Sequence, residues 1–169
     1  MKEYIDLFDC SEKVTKALSS GGVLISTAKD GRVNTMTMGW AFCGQLWEKP
    51  YVIAMIREPR YTKQLLDETG EFTISVPDEG TDRKILAYCG SRSGRDTDKI
   101  KDLGLSLTES EMNHVPGLKE LPLTLECKVT YKQTMDISAL PEELRTGLYS
   151  DGQLHTMYFG EVLKAYIIK

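Results

Sequence analysis

Four short stretches of this sequence carry side chains that can hold a flat, anionic ligand. The first is Asn34-Thr35-Met36-Thr37-Met38-Gly39-Trp40. On an extended strand Asn34, Met36, Met38 and Trp40 share one face, and Thr35 and Thr37 share the other. Thioether and indole groups suit packing against an aromatic ring, and the Asn34 amide, the threonine hydroxyls and backbone amides can bond its polar edge. The second is Arg57-Glu58-Pro59-Arg60-Tyr61-Thr62, at a strand-to-helix junction. Two guanidinium groups and a hydroxyl there suit a phosphate, because free N–H groups and the helix dipole favour anions. The third, Ser91-Arg92-Ser93-Gly94-Arg95-Asp96-Thr97-Asp98-Lys99, combines glycine, hydroxyls and three cations. The fourth is His155, which can donate a hydrogen bond or exchange a proton near neutral pH. Each stretch, taken singly, also has a plain structural reading: a core strand, a solvated turn with Thr62 as cap, a charged surface loop, a structural histidine. His114, beside Val115-Pro116-Gly117, reads as a loop residue without a role.

The elements that must position these residues follow from pattern and punctuation. Ser11 to Leu18 reads as a helix capped by Ser11 and stopped by Gly21-Gly22. Val23 to Ala28 and Val33 to Trp40 read as strands joined by a tight hairpin at Lys29-Asp30-Gly31-Arg32, since Asp-Gly supplies the positive φ such a turn needs. Tyr51 to Ile56 and Glu71 to Val76 are further strands, with a helix from Arg60 to Glu68 between them that ends at Gly70. Thr81-Asp82 opens a helix to about Tyr88, Gly90 to Asp98 is a loop, and Lys99 to Leu103 a short helix. Leu123 to Tyr131 and Met157 to Ile168 are long strands. Leu140 to Leu148 is an inserted helix with Pro141 in its first turn. Five or six strands with interspersed short helices, opening on a hairpin, predict a mainly β fold, an antiparallel barrel with peripheral helices packed outside. It lacks the β-α-β alternation of a doubly wound sheet.

Bulk properties narrow the function. The 169 residues are 41% hydrophobic and 27% charged, as expected of one globular domain spanning 1–169. A net charge of -4 gives no basis for broad nucleic-acid binding. No run is apolar for long enough to span a bilayer, and the first residues lack the order of a signal peptide. Cys10, Cys43, Cys89 and Cys127 form no CxxC pair, and with two histidines no zinc site is expected. Four reduced thiols suit a cytoplasmic protein. There is no GxGxxG after a strand, no P-loop, and no ordered Ser-His-Asp or Cys-His set.

Taken together, the stretches resemble the flavin reductase-like family of FMN-binding split-barrel proteins, which includes flavoredoxin, over about Gly22 to Ala165. The resemblance rests on the hairpin followed by Asn-x-Met-Thr-x-x-Trp at Asn34 to Trp40, and on Arg-x-Thr at Arg60 to Thr62. It rests equally on Ser93 to Lys99, and on His155-Thr156 with a nearby Gly160-Glu161-Val162. It implies a six-stranded antiparallel split β-barrel that forms a homodimer, with one FMN in each of two interfacial clefts. Asn34, Thr35, Met36, Thr37 and Trp40 would line the isoalloxazine. Arg60 and Thr62, with Lys99, would approach the phosphate, and Tyr61 and Ser91 would border the cofactor. His155 would contact the flavin or its phosphate arm, from the same or the neighbouring subunit.

The resemblance further implies electron transfer from NAD(P)H through the flavin to an acceptor, with no side chain required as acid or base. Arg92 or Arg95 could meet a phosphate-bearing donor. Two alternatives stay open: a flavoredoxin-like carrier reduced by a redox protein partner, and a binding protein without flavin. A pyridoxamine phosphate oxidase-type barrel fits the Asn-x-Met-Thr hairpin less well. Family members often carry a tail beyond the Gly-Glu-Val strand, whereas this sequence ends at Lys169, which the resemblance takes to open the outer flavin face. Ser138 to Ser150 is longer than the usual turn, and its helix is expected to cover the cleft or extend the dimer contact.

Overall fold

A computed structural model describes residues 1–169. The elements run β1 (Lys2–Tyr4), α1 (Leu7–Ser19), β2 (Val23–Lys29), β3 (Arg32–Met38), β4 (Ala41–Leu46) and β5 (Lys49–Arg57). They continue through α2 (Tyr61–Thr69), β6 (Glu71–Val76), α3 (Arg83–Ser91), α4 (Lys99–Leu103), β7 (Leu107–Thr108) and β8 (Gly117–Leu118). The chain ends with β9 (Leu123–Thr134), a 3-10 turn (Ile137–Ala139), α5 (Glu142–Leu148) and β10 (His155–Ile168).

The main sheet has the order β3-β2-β6-β9-β10-β5-β4, with β1 also paired to β10, and every ladder is antiparallel. Its two end strands, β3 and β4, follow each other in the chain through Gly39 and Trp40, yet no ladder joins them. The sheet therefore stays open at one seam, the split barrel that the sequence predicts. All six expected strands are present, and β1 and β4 join them. Met36 and Met38 lie in the larger buried core with Val23, Ile25, Ile56, Phe72, Ile74 and Leu125. The α1 stripe Leu7, Cys10, Val14 and Ala17 covers that core from the side. A smaller cluster forms where Ile85, Leu86 and Cys89 of α3 meet Leu24 on the opposite face of β2.

Local corrections have physical causes. Helix α1 starts before Ser11, because the Asp6 carboxylate, ahead of the apolar stripe, accepts from the Phe8 N–H at 2.9 Å. Ser11 is an interior residue whose hydroxyl donates to the Phe8 carbonyl. Strand β3 stops at Met38, so Trp40 lies in the connection to β4 and is not on the strand face. Thr62 does not cap α2: its hydroxyl accepts from the Asn34 side chain instead.

One face of the sheet is notably apolar. Phe42, Ile53, Phe159 and Tyr131 stand opposite one another across β4, β5, β10 and β9. Trp47 extends the row, its ring 5.5 Å from Tyr51 and 6.4 Å from Phe159. Phe42 is 66% and Trp47 59% exposed.

Candidate functional site

Strand β5 ends at Arg57, and the Arg60 N–H donates to the Arg57 carbonyl at 3.1 Å, closing a turn into α2. That turn forms one wall of a cleft of about 240 Å³. Pro59, Arg60, Tyr61 and Thr62 line this wall, Met36 the floor, and Ser91, Arg92, Ser93, Gly94 and Lys99 the opposite side. The wall from α3 to α4 is tied down by arginines. Arg32 donates to the Gly94 carbonyl at 2.7 Å. Arg95 donates to the Pro59 carbonyl at 3.1 Å and lies 5.3 Å from the Tyr61 ring. Arg60 donates to the Gly90 carbonyl at 3.0 Å, joining the two walls directly.

Lys99 is the one lysine or arginine buried in the fold. It is 4% exposed, and its ammonium donates to the carbonyls of Thr35 at 2.7 Å and Cys89 at 3.1 Å. No carboxylate pairs with it. Burial, with Arg60 nearby, pushes its pKa below the ordinary lysine value. The two carbonyl acceptors offset part of the cost of burying the ammonium, and with Arg60 beside it and no carboxylate the cleft keeps an uncompensated positive charge.

Six of the predicted residues, Met36, Arg60, Tyr61, Thr62, Ser91 and Lys99, thus share one cleft. Asn34 stands behind it: its side-chain amide donates to the Thr62 hydroxyl at 2.9 Å, coupling β3 to the start of α2. A Cβ on Gly94 would come 1.8 Å from the Asn34 side-chain oxygen, so only glycine fits that crossing. Thr35 contributes its carbonyl to Lys99. Thr37 points away from the cleft, its hydroxyl donating to the Leu86 carbonyl.

Trp40 and His155 form a second group. Their rings stack at 4.8 Å, and neither lines the cleft. His155 is the register partner of Arg57 in the β5–β10 ladder, so both groups meet at the same end of β5. The His155 Nδ1 lies 3.0 Å from the Tyr149 hydroxyl, and burial together with Arg57 lowers its pKa. Arg57 also pins the segment after α5, donating to the Leu148 and Gln153 carbonyls and the Asp151 carboxylate. Sequence reasoning missed Tyr149, which nothing local marks, and it picked out the glycine of Ser-Gly-Arg-Asp without giving Gly94 its close crossing with Asn34.

The open antiparallel sheet, with a cleft lined by cations and hydroxyls at the end of β5, defines a split-barrel domain. Residues 15–169 match the flavin reductase like domain, and the chain belongs to that family. A protein of Archaeoglobus fulgidus is 33% identical over 131 residues, covering 77% of this chain, which spans 63% of that protein's length. One of Pyrococcus abyssi is 30% identical over 147 residues, 86% of this chain and 72% of its own length. Among solved structures, flavoredoxin of Methanosarcina acetivorans is 25% identical with a TM-score of 0.66 over 87% of this chain and 68% of that one. The FMN-binding domain of a flavin reductases-like enzyme from Shewanella baltica is similar in fold, with a TM-score of 0.67 and 22% identity over 99% of this chain and 77% of that one.

Proposed function

We propose that this domain binds FMN and serves in electron transfer, with NAD(P)H as donor and a homodimer as the working unit. The observation that carries the reading is Lys99, a buried ammonium without a counter-charge on the wall of a cleft that also holds Arg60. That donor set fits a phosphate ester, and family membership makes flavin mononucleotide the phosphate ester of choice. Lys99 and Arg60 would hold the phosphate with the hydroxyls of Thr62 and Ser91. Met36 and Tyr61 would border the body of the cofactor. Trp40 and His155 would meet it from the seam.

Bound flavin would supply the hydride and electron chemistry, and the protein the orientation and electrostatics. Asn34 keeps Thr62 in place, and the Arg32 and Arg95 bonds keep the 92–98 loop closed on the cleft. Arg92 makes no hydrogen bond to a carboxylate and remains the candidate for the phosphate of a nicotinamide donor. The cleft is smaller than the roughly 300–1,000 Å³ of a complete small-molecule site, which supports its completion by a second copy across the exposed Phe42 and Trp47 face. No helix is long and apolar enough to cross a membrane, and four free thiols suit the cytoplasm.

The likeness to flavoredoxins favours a second reading, a carrier reduced by a protein partner. One anaerobic experiment separates the two. FMN is added to the protein and followed by its absorption and fluorescence, then NADH or NADPH is added. Bound flavin that bleaches at catalytic rates supports the enzyme, and bound flavin that stays oxidised supports the carrier. Absence of FMN binding would sink both.

A further inference from the structure

Tyr149 sits just beyond α5, 5% exposed, within the stretch from Leu148 to Gln153 that Arg57 clamps through three hydrogen bonds. Its hydroxyl is 3.0 Å from His155 Nδ1 and 3.5 Å from Met135 Sδ. A phenol has one proton to donate, and a neutral imidazole nitrogen is a far better acceptor than a thioether. The ring stacked on Trp40 is also edge-to-face with Tyr149 at 5.6 Å, so His155 is held from two sides. The Met135 N–H donates to the His155 carbonyl at 2.9 Å, fixing the backbone that carries the ring. The other ring nitrogen, Nε2, makes no hydrogen bond within the chain.

We propose that Tyr149 is a positioning residue: it donates to His155 Nδ1, fixes the tautomer with the proton on Nε2, and so makes His155 a neutral hydrogen-bond donor to the cofactor. The low pKa of His155 supports this, because a neutral ring has one N–H to place and the Tyr149 contact decides where. An imidazolium would donate from both nitrogens and add a full positive charge beside the cofactor. The Nε2–H tautomer donates without that charge. The segment from Ser138 to Ser150 thereby acquires a role through its buried Tyr149, which it inserts behind the histidine. The assignment to a flavin rests on the function proposed above, whereas the tautomer does not.

The test uses the full chain with His114→Asn, which leaves His155 as the only histidine, and reads the imidazole nitrogens by 15N–1H correlation near neutral pH. The expected result is protonated Nε2 and unprotonated Nδ1 in the parent, and a mixture of tautomers in Tyr149→Phe. A parent ring protonated on Nδ1, or a Tyr149→Phe spectrum unchanged from it, overturns the proposal. An FMN titration then reads coupling. Tyr149→Phe is expected to weaken binding about three- to tenfold in the presence of His155, as for loss of one ordered hydrogen bond, and not at all in His155→Ala. An equal loss in both backgrounds would make Tyr149 merely structural and overturn the assignment. A parent that binds no FMN removes the flavin reading, and the nitrogen spectra still decide the tautomer.

Discussion

At the scale of single residues, Lys99 distinguishes a ligand site from a structural strut. As a strut, its value lies in the bonds to the Thr35 and Cys89 carbonyls, and Lys99→Met should lower the melting temperature. As an anion receptor it burdens the empty fold, since a buried unpaired charge is often replaced by an apolar side chain at no loss of stability. Lys99→Met is therefore expected to melt at or above the parent temperature and to bind FMN at least about tenfold more weakly, the size of one charge-assisted contact. A variant that melts lower and binds FMN normally would refute the assignment. The pH dependence has a definite sign. Burial lowers the folded-state pKa, so the ammonium is lost below the ordinary lysine range, and FMN affinity should fall as pH rises through that lowered value. Gly94 supplies a steric prediction. Gly94→Ala forces a methyl group against the Asn34 amide, which should cost about 1–3 kcal/mol by thermal melts and weaken FMN binding through the displaced loop.

At the scale of elements, Asp67 joins α2 to the barrel: it accepts from Lys63, from Lys132 on β9 and from the Tyr158 hydroxyl on β10. Burial raises its pKa, but the hydrogen bonds from Lys132, Lys63 and Tyr158 outweigh this and bring it down to about 2. A carboxylate with a lowered folded pKa stabilises above its unfolded value and loses that contribution as pH falls toward the folded one. Asp67→Asn should thus cost about 1 kcal/mol at neutral pH, after allowing for screening at a partly exposed site, with the cost shrinking as pH falls through about 2. Denaturant titrations at several pH values check this, and a pH-independent cost would mean that packing dominates.

The same scale shows what could be read from sequence. The first hairpin was legible because Asp30 and Gly31 take the left-handed turn with φ of 50° and 76°. The second hairpin, between β4 and β5, makes the same kind of turn at Trp47 and Glu48, with φ of 49° and 61°. No glycine announces it. Its backbone cost is offset by Trp47 packing on Tyr51 and Phe159, a tertiary contact that no local pattern reveals. Strand β4 was missed for that reason. The gathering of Arg60, Thr62 and the Ser91–Lys99 loop around one cleft was legible because these are short motifs at element ends. The Tyr149–His155 contact was not, because it depends on how the segment after α5 folds back along β5.

At the scale of the whole molecule, the row Phe42–Ile53–Phe159–Tyr131, extended by Trp47, leaves a contiguous aromatic face with no partner within the chain. Isolated exposed apolar residues need no account, but contiguous aromatic faces mark interfaces. The face runs from β4 and β5, the strands that lead from the seam to Arg57, across β10 to β9, so a second copy seated there would approach the end of β5 where Trp40, His155 and Arg60 gather. Light scattering and sedimentation should therefore find the parent as a dimer and Phe42→Asp as a monomer, since burying an unpaired carboxylate in an aromatic contact is strongly unfavourable. Phe42 lines no part of the cleft within its own chain. A fall in FMN affinity that tracks dissociation would then show that the second copy completes the site. If Phe42→Asp is monomeric and binds FMN as the parent does, the dimer exists for another purpose and each chain holds its cofactor alone. A parent that is already monomeric while binding FMN tightly would remove the dimer from the functional account altogether, leaving the aromatic face to a different partner.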